Sequence, residues 1–154
     1  MTGKINPAVA GMLKSASDWL LHEHSLFKTL DLKPLLIGRG QATFSVYLPE
    51  DFADNRGRIH GGLLTIIMDS IFGLSVFTIL DEIKPIATIN LRTDYMDYVA
   101  PGGRVVCAAE CRKLRGDVAY VTGDLKEDDS GALIAAASGA FMVGTRSGSS
   151  RRPQ

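Results

Sequence analysis

Apolar residues recur at Val9, Met12, Leu13, Ala16, Leu20 and Leu21, close to the three-and-four spacing of a helix with one buried face. Asn6 before Pro7 supplies an N-cap and a preorganised first residue, so residues 6–22 are predicted as an amphipathic helix. Residues 35–37 and 42–48 are apolar-rich runs flanking Gly38-Arg39-Gly40, the pattern of a hairpin. A polar loop follows over residues 50–58. Residues 63–80 then carry a single charge, Asp69, in eighteen positions. After Pro85 the pattern turns to strand: residues 86–98, 104–114, 118–126 and 132–143, separated by turn residues such as Gly102-Gly103 and Arg115-Gly116-Asp117. In the first of these runs Thr88, Asn90, Arg92 and Asp94 alternate with Ile89, Leu91 and Thr93. Connections this short make consecutive strands antiparallel neighbours or nearly so, because parallel crossovers need about a dozen residues.

The stretch 63–80 approaches the length of a membrane span. Asp69 near its centre argues against that, since a mid-span aspartate costs about 2.5–3.5 kcal/mol on insertion scales. Thr65, Ser70, Gly73, Ser75 and Thr78 weaken the span further. A helix apolar on nearly every side is otherwise one wrapped by protein. The elements therefore predict an α+β chain, one antiparallel sheet curled around a buried helix, with an additional N-terminal helix. The expected division is a single domain over residues 1–144 and a flexible tail over 145–154, which holds no apolar residue.

Charge sharpens this only slightly. Seventeen Lys and Arg balance seventeen Asp and Glu, so no bulk field gathers nucleic acid or an anionic membrane. Arg146, Arg151 and Arg152 lie in the tail, leaving the domain mildly acidic. Cys107 and Cys111, four apart in a strand, share a face at about 13 Å, too far to bridge. Two reduced core thiols follow, and with no secretory signal over residues 1–10 they suggest a cytoplasmic location. Two cysteines make no four-ligand zinc site. His22 and His24 form an H-x-H pair expected to be solvated surface.

The candidate chemistry lies in Asn55-Arg-Gly-Arg-Ile-His60-Gly61-Gly62 and Asp69. A loop delivering Gly61-Gly62 to a helix start leaves backbone N–H groups free at the positive end of the dipole, where a ligand oxygen can approach closely. Asp69 carries a desolvation cost in its apolar stretch unless something pairs with it, and such acids concentrate at active sites. His60 and Asp69 are nine residues apart, about 13 Å along one continuous helix. If both serve one site, that site needs a second subunit. No nucleophile elbow, P-loop, dinucleotide fingerprint or H-E-x-x-H motif is present.

His60-Gly-Gly followed by Asp69, with Thr88-Ile-Asn-Leu-Arg-Thr-Asp-Tyr95-Met and the Pro101-Gly102 turn, resembles the hotdog-fold acyl-CoA thioesterases. More narrowly it is similar to the phenylacetate-degradation type of the 4-hydroxybenzoyl-CoA thioesterase superfamily. The resemblance covers residues 30–143 and implies about six antiparallel strands around one long helix, in a homodimer or a dimer of dimers. It implies that Asp69 acts as general base or nucleophile, and that Gly61 polarises the thioester carbonyl through its backbone N–H. Thr88 would help position water, Asn55 would orient the carbonyl or water, and His60 would fix the loop and thioester. Asp54 competes with Asn55 for that loop position. Gly62, Ile66 and Phe72 are candidates for substrate contact, and Lys113 and Arg115 for a basic rim facing coenzyme A phosphates. No metal or cofactor is implied; coenzyme A enters as part of the substrate. Two rival readings keep the fold and change the chemistry. One is hydration or dehydration of an acyl thioester, which generally needs a catalytic His, and none follows residue 60. The other is an acyl-CoA-binding protein without activity.

Overall fold

The computed structural model describes residues 4–145, the side chain of Asp18 excepted. The predicted tail beyond Thr145 lies outside the described residues. In chain order the elements are α1 (Pro7–His22), α2 (Ser25–Thr29), β1 (Lys33–Gly38), β2 (Gln41–Tyr47), a 3-10 turn (Glu50–Phe52) and α3 (Gly61–Ile79). Four strands follow: β3 (Ile86–Tyr95), β4 (Arg104–Arg115), β5 (Val118–Glu127) and β6 (Leu133–Val143).

α1 starts as expected, with the Asn6 carboxamide oxygen accepting the Ala8 N–H at 2.9 Å. The single turn of α2 was not expected. One turn leaves no periodicity to read, yet it buries Phe27 and is followed by buried Leu30. His24 caps it by position and is no solvated surface residue: its ring packs edge-on to Trp19 at 5.7 Å and tilted against Phe27 at 4.7 Å.

The six strands form one sheet in the order β1-β2-β4-β5-β6-β3, with every neighbouring pair antiparallel. This is the hotdog arrangement: α3 lies in the concave face, with Leu63, Leu64, Ile67, Met68, Ile71, Phe72 and Val76 fully buried. The helix is 19 residues long with mean hydropathy 1.9, enough by length and composition to cross a membrane, but 61% of that apolar window is buried inside the fold. Its polar residues are satisfied there. Ser75 Oγ donates to the Phe72 carbonyl, and Thr78 Oγ1 donates to the Ser75 carbonyl while accepting the Gly40 N–H at 2.8 Å. That last bond ties the end of α3 to the β1–β2 turn.

Two expectations about the strands require correction. β3 and β4 are consecutive but not neighbours: the segment between them crosses the sheet end, and β3 pairs with β6 instead. β3 also stops at Tyr95 rather than residue 98, because the N–H groups of Met96 and Asp97 both turn onto the Ile134 carbonyl. Within β3 the simple alternation breaks. Thr88 faces Phe141 and Asn90 faces Ala140, so Ile89 is an extra residue, a β-bulge. The bulge shifts the phase by one, so that Thr88 before it and Thr93 and Tyr95 after it all reach α3. Cys107 and Cys111 are buried and unpaired, as expected.

Candidate active site

α3 and β3 run side by side in opposite directions, and the candidate residues lie along their seam. At one end is the helix start. His60 is the N-cap, and its Nδ1 accepts the Gly62 N–H at 3.0 Å. A Cβ at Gly62 would sit 2.9 Å from that nitrogen, so the cap depends on glycine there. Gly62 thus spends its amide on His60. The Gly61 N–H has no partner among the described residues and remains the free donor at the positive end of a 19-residue helix.

Tyr95 fastens this end. Its hydroxyl donates to the Gly61 carbonyl at 3.0 Å and pairs with the Thr65 hydroxyl, which also reaches Thr93. The Tyr95 ring covers Gly61 so closely that a Cβ there would lie 3.2 Å from Cε1. This hydroxyl cluster was not legible in the sequence. It depends on the bulge at Ile89, which no glycine or proline announces.

Two turns along, Thr88 Oγ1 donates to Asp69 Oδ1 at 2.8 Å. The expected desolvation of Asp69 is not met in the single chain: its carboxylate is half-buried and opens into a cavity of about 460 Å³ between α1, α3 and β3. The cavity is lined mainly by apolar side chains, with Thr88, Ser70 and His24 as its other polar groups. Neither expected apolar contact lines it. At about 100° per residue, Phe72 lies some 60° to one side of Asp69 and Gly73 some 40° to the other. The cavity is on the Gly73 side. Phe72 is turned to the sheet and fully buried, with its ring where a Gly123 Cβ would come within 2.6 Å. Ile66 stands 43% exposed on the open surface of α3, a turn before Asp69.

The preceding loop separates the roles of Asp54 and Asn55. The Asp54 carboxylate accepts the N–H groups of Arg56 and Arg58 at 2.8 and 3.0 Å and the Arg58 guanidinium at 3.0 Å. The Arg58 N–H, above all, holds this acid below the usual carboxylate range, helped by the Arg56 N–H and the Arg58 side chain. Asp54 is therefore the knot of the loop, and Asn55 is left exposed beside it. Lys113 lies at the other end of α3, in a depression shared with Leu80, Asp81, Glu82 and Arg39, remote from Gly61. Arg115 ends β4 beside it.

The arrangement supplies an oriented carboxylate facing an apolar cavity and a free amide at a helix N-terminus. Gly61 and Asp69 lie eight residues apart on one unbroken helix, about 12 Å, so within one chain they cannot contact the same carbonyl.

Residues 56–134 match the family model described as thioesterase superfamily. Among solved structures, a mutant of the phenylacetic acid degradation protein PaaI from Thermus thermophilus is 28% identical, with a TM-score of 0.66. It aligns over 75% of this chain and 95% of that one. Thioesterase superfamily member 2 of zebra fish is 17% identical with a TM-score of 0.74, over 94% of this chain and 100% of that one. A hypothetical thioesterase protein from Streptococcus pneumoniae, solved with coenzyme A, is 19% identical with a TM-score of 0.73, over 86% and 99%. At those identities the last two speak to the fold alone.

Proposed function

The chain belongs to the thioesterase superfamily, and from that premise we propose that it hydrolyses acyl-CoA thioesters to the free acid and coenzyme A. The observation that carries this reading is the Asp69–Thr88 pair opening into an apolar cavity. A carboxylate so placed can act on water while an acyl group occupies the space beside it.

The catalytic unit is a homodimer, alone or paired into a tetramer. Asp69 of one protomer works with the Gly61 N–H of its partner, since the two groups lie about 12 Å apart on one helix. The free outer edge of β3 and the exposed Ile66 and Ile89 support such an assembly, because open edges and apolar patches are normally covered. In the reaction Asp69 takes a proton from water and the resulting hydroxide adds to the thioester carbon. The oxyanion accepts the Gly61 N–H, a donor of a type worth about 2.7–4 kcal/mol. Collapse breaks the C–S bond, and the proton passes from Asp69 to the departing thiolate. Direct attack by the carboxylate through an anhydride uses the same groups. Thr88 holds the carboxylate, His60 shapes the helix start, and Asn55 orients the carbonyl or water from the loop. The chemistry draws on no cofactor. Two reduced thiols in the core suit a cytoplasmic setting.

The test is release of free thiol from a panel of acyl-CoAs. Burial holds the thiols of Cys107 and Cys111 above their usual range, so the native protein adds little background. Wild type is expected to release coenzyme A, and Asp69→Asn to lose about 10²–10⁴ in rate, the usual contribution of a general base. Wild type inert toward every acyl-CoA, or Asp69→Asn as active as wild type, refutes the reading.

A further inference from the structure

We propose that the cavity beneath α1 is the acyl subsite and that α1 sets acyl length, selecting a linear chain of about eight to ten carbons. This rests on the reading of the chain as an acyl-CoA thioesterase.

The cavity floor is a stripe on α3: Asp69, Gly73 and Phe77, at i, i+4 and i+8. The stripe is about 12 Å long. An extended hydrocarbon with 1.52 Å bonds advances about 1.25 Å per carbon, so eight to ten carbons span it. Glycine in a helix interior is disfavoured against alanine and calls for a packing reason. Here a Cβ would stand 3.3 Å from Ile86 Cδ1, another lining atom, so glycine lets the floor of the cavity close against β3 without crowding it. Phe77 stands at the far end of the stripe. An aryl acyl group would fill only part of this length.

The roof is α1, which contributes Leu13, Ala16 and Leu20. It sits astride two spaces, because a second cavity of about 360 Å³ lies on its other flank and shares Leu13, Leu20, Phe27 and Leu74 with the first. Leu13 and Leu20 are the share of α1 in the partition between the cavities, which Phe27 and Leu74 complete. The whole acyl subsite in this arrangement comes from one protomer, although the oxyanion donor comes from its partner.

Two α1 variants test the roof in opposite directions. Ala16→Phe fills the channel from above, and Leu13→Ala opens the partition. Each methylene moved from water into the cavity is worth up to about fourfold in kcat/KM. For wild type, kcat/KM measured over butyryl- to hexadecanoyl-CoA should rise by two to three orders of magnitude to about ten carbons and then level or fall. In Ala16→Phe the decanoyl-to-butyryl ratio should drop at least tenfold. In Leu13→Ala the break should move to longer chains by two carbons or more, which a merely destabilised protein would not do. A profile flat from four to twelve carbons overturns the proposal. So does phenylacetyl-CoA hydrolysed better than decanoyl-CoA, or a break that neither variant moves. If wild type hydrolyses no acyl-CoA, the functional reading fails, and the subsite is judged on calorimetric affinities of decanoyl- and butyryl-CoA. Decanoyl-CoA bound at least tenfold tighter, with the difference lost in Ala16→Phe, sustains the subsite; equal affinities overturn it.

Discussion

Replacing Thr88 by Val removes one oxygen and little else. Valine keeps the β-branch and the strand preference, so β3 and its pairing with β6 should persist. What is lost is the 2.8 Å bond from Thr88 Oγ1 to Asp69 Oδ1. A hydrogen bond to a charged group contributes about 1.5–3 kcal/mol. Thr88 is exposed and Asp69 half-buried in the single chain, so water recovers part of that. About 1–1.5 kcal/mol remains to hold the carboxylate in its catalytic direction, which is about a tenfold effect on kcat. The bond touches no part of the acyl group, so KM should change by no more than about twofold. Thr88→Ser keeps the donor and should stay within about threefold of wild type. The assay is steady-state thiol release, with thermal melts to show that both variants fold. Thr88→Val as fast as wild type, or Thr88→Ser as slow as Thr88→Val, refutes the positioning role.

Three further outcomes follow from the same geometry. Gly62→Ala displaces the His60 imidazole, whose Nδ1 would lie 2.9 Å from the new Cβ. Loss of the cap, about 1 kcal/mol, is offset by alanine's better helix propensity, so the melting temperature should barely move while kcat/KM falls about tenfold or more. Gly123→Ala drives a Cβ into the Ala108 carbonyl oxygen and within 2.6 Å of Phe72 Cε1. Overpacking of this kind costs up to about 3 kcal/mol, so calorimetry should show a melting temperature lower by roughly 10 °C. Asp54 is held below its ordinary value by the Arg58 N–H, and Asp31 by the Arg104 guanidinium. Folded values below the unfolded ones contribute stability above about pH 4, lost as pH falls through the folded values. Asp54→Asn should therefore be less stable than wild type in denaturant titrations at neutral pH, with the gap closing toward about pH 2.

Much of the fold could be read from residue pattern. The one-charge run predicted α3, and alternation with turn residues predicted β4, β5 and β6 nearly to their ends. Asp69, Gly61 and His60 stood out because a lone acid and a glycine pair at a helix start are chemically unusual where they occur. Thr88 beside Asp69 came from the family resemblance, and the structure brings the two into contact. What could not be read depends on which way elements turn once packed. The bulge at Ile89 reverses the facing of everything after it, so the contacts of Thr93 and Tyr95 with the helix were hidden. Phe72 and Ile66 were candidate acyl contacts because they neighbour Asp69 in sequence. A rotation of some 100° per residue sends Phe72 to the sheet instead. The place of α1 as a wall beside Asp69 is a tertiary fact with no local signal.

The proposed site pairs Asp69 of one protomer with the Gly61 N–H of the other. Gly61→Pro deletes that N–H at a first helical position that favours proline, and His60 before it already has the extended backbone (φ −62°, ψ 128°) that proline requires; its Cβ would press the Tyr95 ring at 3.2 Å, so thermal melts must show that the variant folds. Asp69→Asn and Gly61→Pro should each be inactive as pure dimers. When the two are unfolded, mixed in equal amounts and refolded, half the dimers are hybrids, and each hybrid holds one intact site. Thiol release should return to about a quarter of wild type. A mixture no more active than its two components would contradict the account.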